Sequence, residues 1–165
     1  MKVILILIII SSCSYVGFGM NKNQKRKVTF YQDLLLFCSG LKSDISFFNL
    51  KLQKIFQKAQ MGYDKEFGSL CESAIKSINN GSSELICKED ISKISFLDEN
   101  ERQTLLIFFS ILGKSDHINQ SRQMEIYEKL FFDFFEKAKE EYKSKGTLCV
   151  KLGIYAGLFV AILFL

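Results

Sequence analysis

Two apolar stretches bracket this chain, and they constrain it more than any motif between them. "VILILIIISSCSYVGFGM", Val3 to Met20, and "LCVKLGIYAGLFVAILFL", Leu148 to Leu165, are 18 residues each. As helices, at ~1.5 Å per residue, each runs about 27 Å. That nearly matches a hydrocarbon core of about 30 Å. Between them the sequence is charged and polar throughout. The expected organisation is an N-terminal transmembrane helix over 1–20, a cytoplasmic domain over 21–147 and a C-terminal transmembrane helix over 148–165.

Charge placement gives the orientation. Only Lys2 precedes the first stretch, whereas Lys22, Lys25, Arg26 and Lys27 follow it. Lys137, Lys139, Lys143 and Lys145 precede the second. Positive flanks stay on the cytoplasmic side, so both clusters put the middle of the chain in the cytoplasm. Lys151 lies inside the second stretch, near its cytoplasmic end, where a lysine can snorkel to the interface. A second reading of the N-terminus stays open. "MKVILILIIISSC" also resembles a bacterial lipoprotein signal, with Cys13 as the lipidated residue. That reading makes the chain a surface lipoprotein with an extracytoplasmic helical binding domain.

Composition narrows the function classes. The formal net charge of +4 is small and mixed in sign, so no nucleic-acid partner is expected. Cys13, Cys38, Cys71, Cys87 and Cys149 are widely spaced, no pair forms Cys-x-x-Cys, and His117 is the single histidine. Metal sites need several clustered ligands, so no metal and no cofactor is expected. A thiol nucleophile wants a basic partner, and the bland reading of these cysteines is buried apolar thiols.

The middle reads as helix after helix. No proline interrupts it. Phe30, Leu34, Phe37, Leu41, Ile45 and Phe48 recur every three or four residues, one apolar stripe. Asn49 is placed to cap a second helix that turns Leu50, Leu52, Ile55, Phe56 and Ala59 inward. A third helix runs from Asp64 to about Ile78 with Phe67, Leu70, Cys71, Ala74, Ile75 and Ile78 inward. "NNGSS", residues 79–83, stops it. A short fourth helix is expected over about Ser83 to Ile94. A fifth follows Asp98, where Asp98 and Glu101 form a capping-box pattern, and its nearly all-apolar Thr104–Leu112 marks it as the central buried helix.

Within "ILGKSDHINQ", Gly113, Lys114 and Ser115 spell the end of a phosphate-binding loop. Such a loop needs Gly-x-x-x-x-Gly-Lys-Ser/Thr between a strand and a helix. Here the first glycine position is Phe108, and the preceding segment reads as helix. Leu112, Gly113, Ser115 and Asp116 are instead expected to form a helix–turn–helix corner, with glycine ending one helix and Ser115 or Asp116 capping the next. The sixth helix then carries Met124, Tyr127, Phe131, Phe134, Ala138 and Tyr142 on one stripe, which Phe132 and Phe135 widen. Glu125–Lys129 and Asp133–Lys137 are i,i+4 pairs. With Gly146 as the single break, this helix is expected to run on into the last apolar stretch. There Gly153 and Gly157 form Gly-x-x-x-Gly, a spacing that lets another membrane helix approach.

Taken in order, "GF" at the end of the first apolar stretch, the basic patch, "LKSDISFFNLKLQKI", "LLIFFSILGKSD", a glutamine at 120 or 123 and a terminal "LGIYAGLFVAILFL" resemble the stage III sporulation protein AB family of spore-forming bacteria. The family's Leu-Gly-x-Ser-Asp corner is matched at Leu112, Gly113, Ser115 and Asp116, and its Leu-Gly opening of the last helix at Leu152 and Gly153. Two places depart from the family pattern. Where it has an acidic pair, only Asp44 stands here, and Asn49 takes the place of a proline. The resemblance implies an all-α cytoplasmic bundle of about six helices, like the F-type platform domains of type II secretion, flanked by transmembrane helices. It implies a non-enzymatic component of a mother cell–forespore channel. Its partners would be other membrane subunits of the channel, a cytoplasmic ATPase and membrane lipid. Asp44, Phe132 and Phe135 are the candidate partner surface.

Overall fold

The computed structural model describes residues 22–43, 52–112 and 117–163; from residue 145 onward the side chains described are those of Lys151, Tyr155 and Phe159. Among the described residues there are six helices and no strand. They are α1 over residues 22–43, α2 (Leu52–Gly62), α3 (Lys65–Asn79), α4 (Lys88–Ser92), α5 (Glu99–Ile111) and α6 (His117–Leu163). The protein is therefore all-α. Two compact units divide it, residues 29–135 and residues 1–28 with 136–165.

The α1 stripe behaves as its spacing predicts. Phe30, Leu34, Phe37 and Leu41 are buried, and Tyr31 and Cys38 join them. Ile45, Phe48, Asn49 and Leu50 lie outside the described residues, as does Asp44.

The core of the 29–135 unit is rich in aromatic rings, and seven of the chain's 16 phenylalanines are buried in it. Phe37 stacks on Phe56 at 5.3 Å, and Phe30 meets Phe67 edge-on at 5.9 Å. Phe56 approaches Phe109 at 6.3 Å. Phe108 lies 5.0 Å from Phe109, 5.3 Å from Tyr127 and 5.1 Å from Phe131. Rings from α1, α2, α3, α5 and α6 thus form one continuous cluster. Each buried ring contributes roughly 1.5–3 kcal/mol of transfer free energy.

α2 and α3 pack as a helical hairpin joined through Tyr63 and Asp64. Asp64 occupies the N-cap of α3, but its own side chain makes no capping bond. Its backbone amide instead donates to Asp33 Oδ2 of α1 at 2.7 Å. α5 opens with the expected capping box. The Glu101 amide donates to Asp98 Oδ1 at 2.9 Å and the Asp98 amide to Glu101 Oε2 at 2.8 Å.

Three expectations need correction. The fourth helix is only Lys88–Ser92, not Ser83–Ile94. Upstream, Ser82 Oγ accepts from the Glu84 amide at 3.4 Å, a local turn that competes with helix. Downstream, Ile94 and Leu97 donate their amides three residues back, to Ile91 and Ile94. Glu125 has a stronger, longer-range partner than its i+4 neighbour, as Lys42 Nζ of α1 donates to Glu125 Oε1 at 2.7 Å while the Lys129 charge adds to it. Ile75 and Ile78 are half-buried rather than core residues of α3.

α6 is one helix of 47 residues. Met124, Phe131 and Ala138 are buried along it, with Tyr127, Phe134 and Tyr142 half-buried, so the predicted stripe is present. Its backbone stays helical through Gly146 and on to Leu163. Among the described residues no helix is long and apolar enough to cross a membrane. The N-terminal stretch, with Cys13, lies outside the described residues. The flanking membrane helices therefore remain an expectation from the sequence.

Candidate functional site

The corner that resembles a phosphate loop can be judged from its near side. Leu112 is buried and ends α5 with extended backbone angles, φ −62° and ψ 128°. Gly113, Lys114, Ser115 and Asp116 lie outside the described residues. Phe108, which stands where the first glycine of the loop belongs, is fully buried in α5. Helical amides there are already bonded within the helix, and a phosphate cradle needs them free. The element before the triplet is thus a helix packed by a phenylalanine.

Tyr31, Asp33 and Glu101 are buried polar groups of the 29–135 unit; the capping-box pattern pointed to Glu101, whereas reading the sequence alone missed Tyr31 and Asp33. Tyr31 is fully buried and faces the Glu101 carboxylate. Burial first, then the Glu101 charge, holds its phenol protonated far above the ordinary tyrosine range. Glu101 is 1% exposed, and its carboxylate is engaged in the capping box. Asp33, nearly buried, receives the Asp64 amide. Burial pushes its carboxyl above the usual aspartate range while that amide pulls the other way. The available sequence signal was position. Tyr31 adjoins Phe30, and Asp33 adjoins Leu34, both on the apolar stripe of α1.

Cys38 and Cys71 show little nucleophilic character. Burial, with Glu128 adding to it, pushes the Cys38 thiol well up. Burial pushes the Cys71 thiol up to about 12, with Asp33 contributing. Thiols so shifted are almost entirely protonated near neutrality, and the thiolate is the reactive form. Among the described residues no three His, Cys, Asp or Glu side chains are grouped to hold a metal ion.

The 29–135 unit also exposes apolar surface. Phe132 is 52% exposed, and Phe135, half-buried, lies beside it with ring centroids 6.4 Å apart. Phe132 borders an open groove of about 680 Å³ whose other walls are Leu35 of α1 and Glu125, Glu128, Lys129 and Asp133 of α6. Leu36, Ile107 and Ile126 are also more than half exposed. The Lys42–Glu125 ion pair links α1 to α6 beside this groove. The structure thus exposes Phe132, which the sequence alone allowed either to widen the core stripe or to face a partner. Gly153 and Gly157 fall within α6, four residues apart.

Helix packed on helix, with an aromatic cluster among aliphatic side chains and polar groups set in caps and ties, defines a small all-α protein. The chain belongs to the stage III sporulation protein AB family, whose profile matches residues 2–165. No curated protein and no solved structure matches it.

Proposed function

We propose that this chain is a non-enzymatic membrane component of the stage III sporulation complex joining mother cell and forespore. In this reading the helical domain is a cytoplasmic platform, related to the F-type domains of type II secretion, that docks an ATPase onto the membrane assembly. The observation that carries the reading is the family match over residues 2–165. Two features support it. Leu148–Leu165 is apolar apart from Lys151, and it continues a helix that is unbroken through Leu163. Within it Lys151, Tyr155 and Phe159, four residues apart and all exposed, share a helix face suited to lipid or to another membrane helix. Gly153 and Gly157 supply the close-approach spacing on the same segment.

Topology tests the reading. A protease site placed in the 79–83 turn sits among exposed residues, where an insertion is tolerated. Cleavage only after lysis of wall-stripped cells is the expected result. Cleavage in intact cells refutes the platform reading and points to a lipoprotein anchored at Cys13. ATPase docking is tested by charge reversal at Glu128 and Asp133 with Phe132→Ala, scored by ATPase retention on membranes. Unchanged retention removes this groove as the docking face.

A further inference from the structure

The charge of the chain is sharply divided between its two units. Residues 29–135 carry 12 cations against 15 carboxylates, whereas the other unit carries 10 cations against 3. Eight of those ten cations fall in two short stretches, 22–27 of α1 and 137–145 of α6, which the fold places in one compact unit; Lys27 among them is buried, and the second stretch also holds Glu140 and Glu141. Lys22, Lys25 and Arg26 are spaced i, i+3 and i+4, so they share a face of α1. Lys22 and Lys25 are exposed, and Arg26 donates to Asn23 Oδ1 at 3.2 Å. On α6, Lys139 and Lys143 are four residues apart. Lys137 and Lys143 are exposed, and Lys139 meets Glu136 at 3.0 Å. Each stretch ends within three residues of an apolar sequence, Val3–Met20 or Leu148–Leu165.

We propose that these two stretches form one belt that binds the anionic headgroups of membrane phospholipids. The proposal rests on the membrane-anchored reading above and adds a ligand to it. Cations scattered along a solvated helix need no common level. Here Lys22 and Lys25 of α1 and Lys143 of α6 lie within five residues of apolar sequence, about 8 Å or less along a helix, so the near end of each group meets the bilayer at headgroup depth. A cation held there gains from the negative surface potential of an anionic leaflet, and the gain falls off within a Debye length. Orientation alone requires only that the charges stay on one side. A belt further requires that the protein choose among lipids.

The test uses the full chain reconstituted in vesicles of equal parts phosphatidylcholine and phosphatidylglycerol. After gentle detergent release at low salt, native mass spectrometry counts the lipids each protein retains. Phosphatidylglycerol should be enriched several-fold. Each cation removed should lower that enrichment by up to about fivefold until it reaches parity. Two variants probe the belt, Lys22→Gln with Lys25→Gln and Arg26→Gln, and separately Lys137→Gln with Lys143→Gln. Circular dichroism checks that helix content is retained. A wild-type protein whose retained lipid mirrors the vesicle overturns the proposal, and so do two folded variants that keep full enrichment. Alkaline extraction from pure phosphatidylcholine vesicles tests anchoring separately. Release by alkali refutes the anchor, whereas retention without lipid preference refutes the belt alone.

Discussion

Replacing Phe108 with alanine should unfold the 29–135 unit far below its native melting temperature. The ring is fully buried and touches three others, Phe109, Tyr127 and Phe131, at 5.0–5.3 Å. Truncating a buried phenylalanine costs about 3–5 kcal/mol, the lost transfer free energy plus the cavity left behind. Three lost aromatic contacts push toward the upper end of that range. Unfolding a unit of roughly one hundred residues has an entropy near 0.2 kcal/mol/K, so a loss of about 4 kcal/mol lowers the midpoint by about 15–20 °C. Circular dichroism melts of the full chain in detergent measure this. Phe132→Ala is the matched control, because its ring is 52% exposed. It should shift the midpoint by no more than a few degrees. If the two variants melt together, α5 is not the packing centre of the unit, and the case against a phosphate loop at 108–115 loses its structural ground.

Other outcomes follow from the caps, the ties and the thiols. Asp98→Ala removes a capping box and should cost about 1 kcal/mol, read as a lower urea midpoint with unchanged slope. Asp33→Asn keeps an oxygen for the Asp64 amide but buries no charge. Because the folded carboxyl is raised, its favourable contribution is present at low pH and is lost as pH rises through the folded value. The variant should therefore match or exceed wild type at pH 7, with the advantage vanishing at acid pH. A variant clearly weaker at pH 7 contradicts this. At pH 8 iodoacetamide should label Cys87, which is partly exposed, while Cys38 and Cys71 react only after denaturation. Gly81→Ala should destabilise by about 1 kcal/mol, since Gly81 holds φ 66°; an unchanged urea midpoint would mean the turn relaxes to negative φ.

Sequence periodicity revealed most of the fold because its stripes are long. Phe30 to Leu41 and Met124 to Ala138 each repeat over three or more turns, and burial follows that repeat in both. The capping box of α5 was readable because its two partners are three residues apart. Where the reading failed, the deciding contact was short or distant. α4 is shorter than Ser83–Ile94 because Ser82 offers the backbone a competing turn. Glu125 found Lys42, 83 positions away, before its i+4 neighbour. Of the candidate surface, Phe132 was legible as an aromatic off the main stripe. The groove beside it was not, because Leu35 reaches it from another helix.

The bond from the Asp64 amide to Asp33 has a consequence for how this chain acquires its shape. One amide at the start of α3 is bonded to a residue 31 positions earlier, so the turn of the α2–α3 hairpin is tied to α1. Synthesised alone, that hairpin would lack this tie. On the ribosome it would wait for nothing downstream, because α1 has already emerged. A rearrangement that moved α1 to the end of the chain would reverse that order and leave the hairpin unfinished until translation was over.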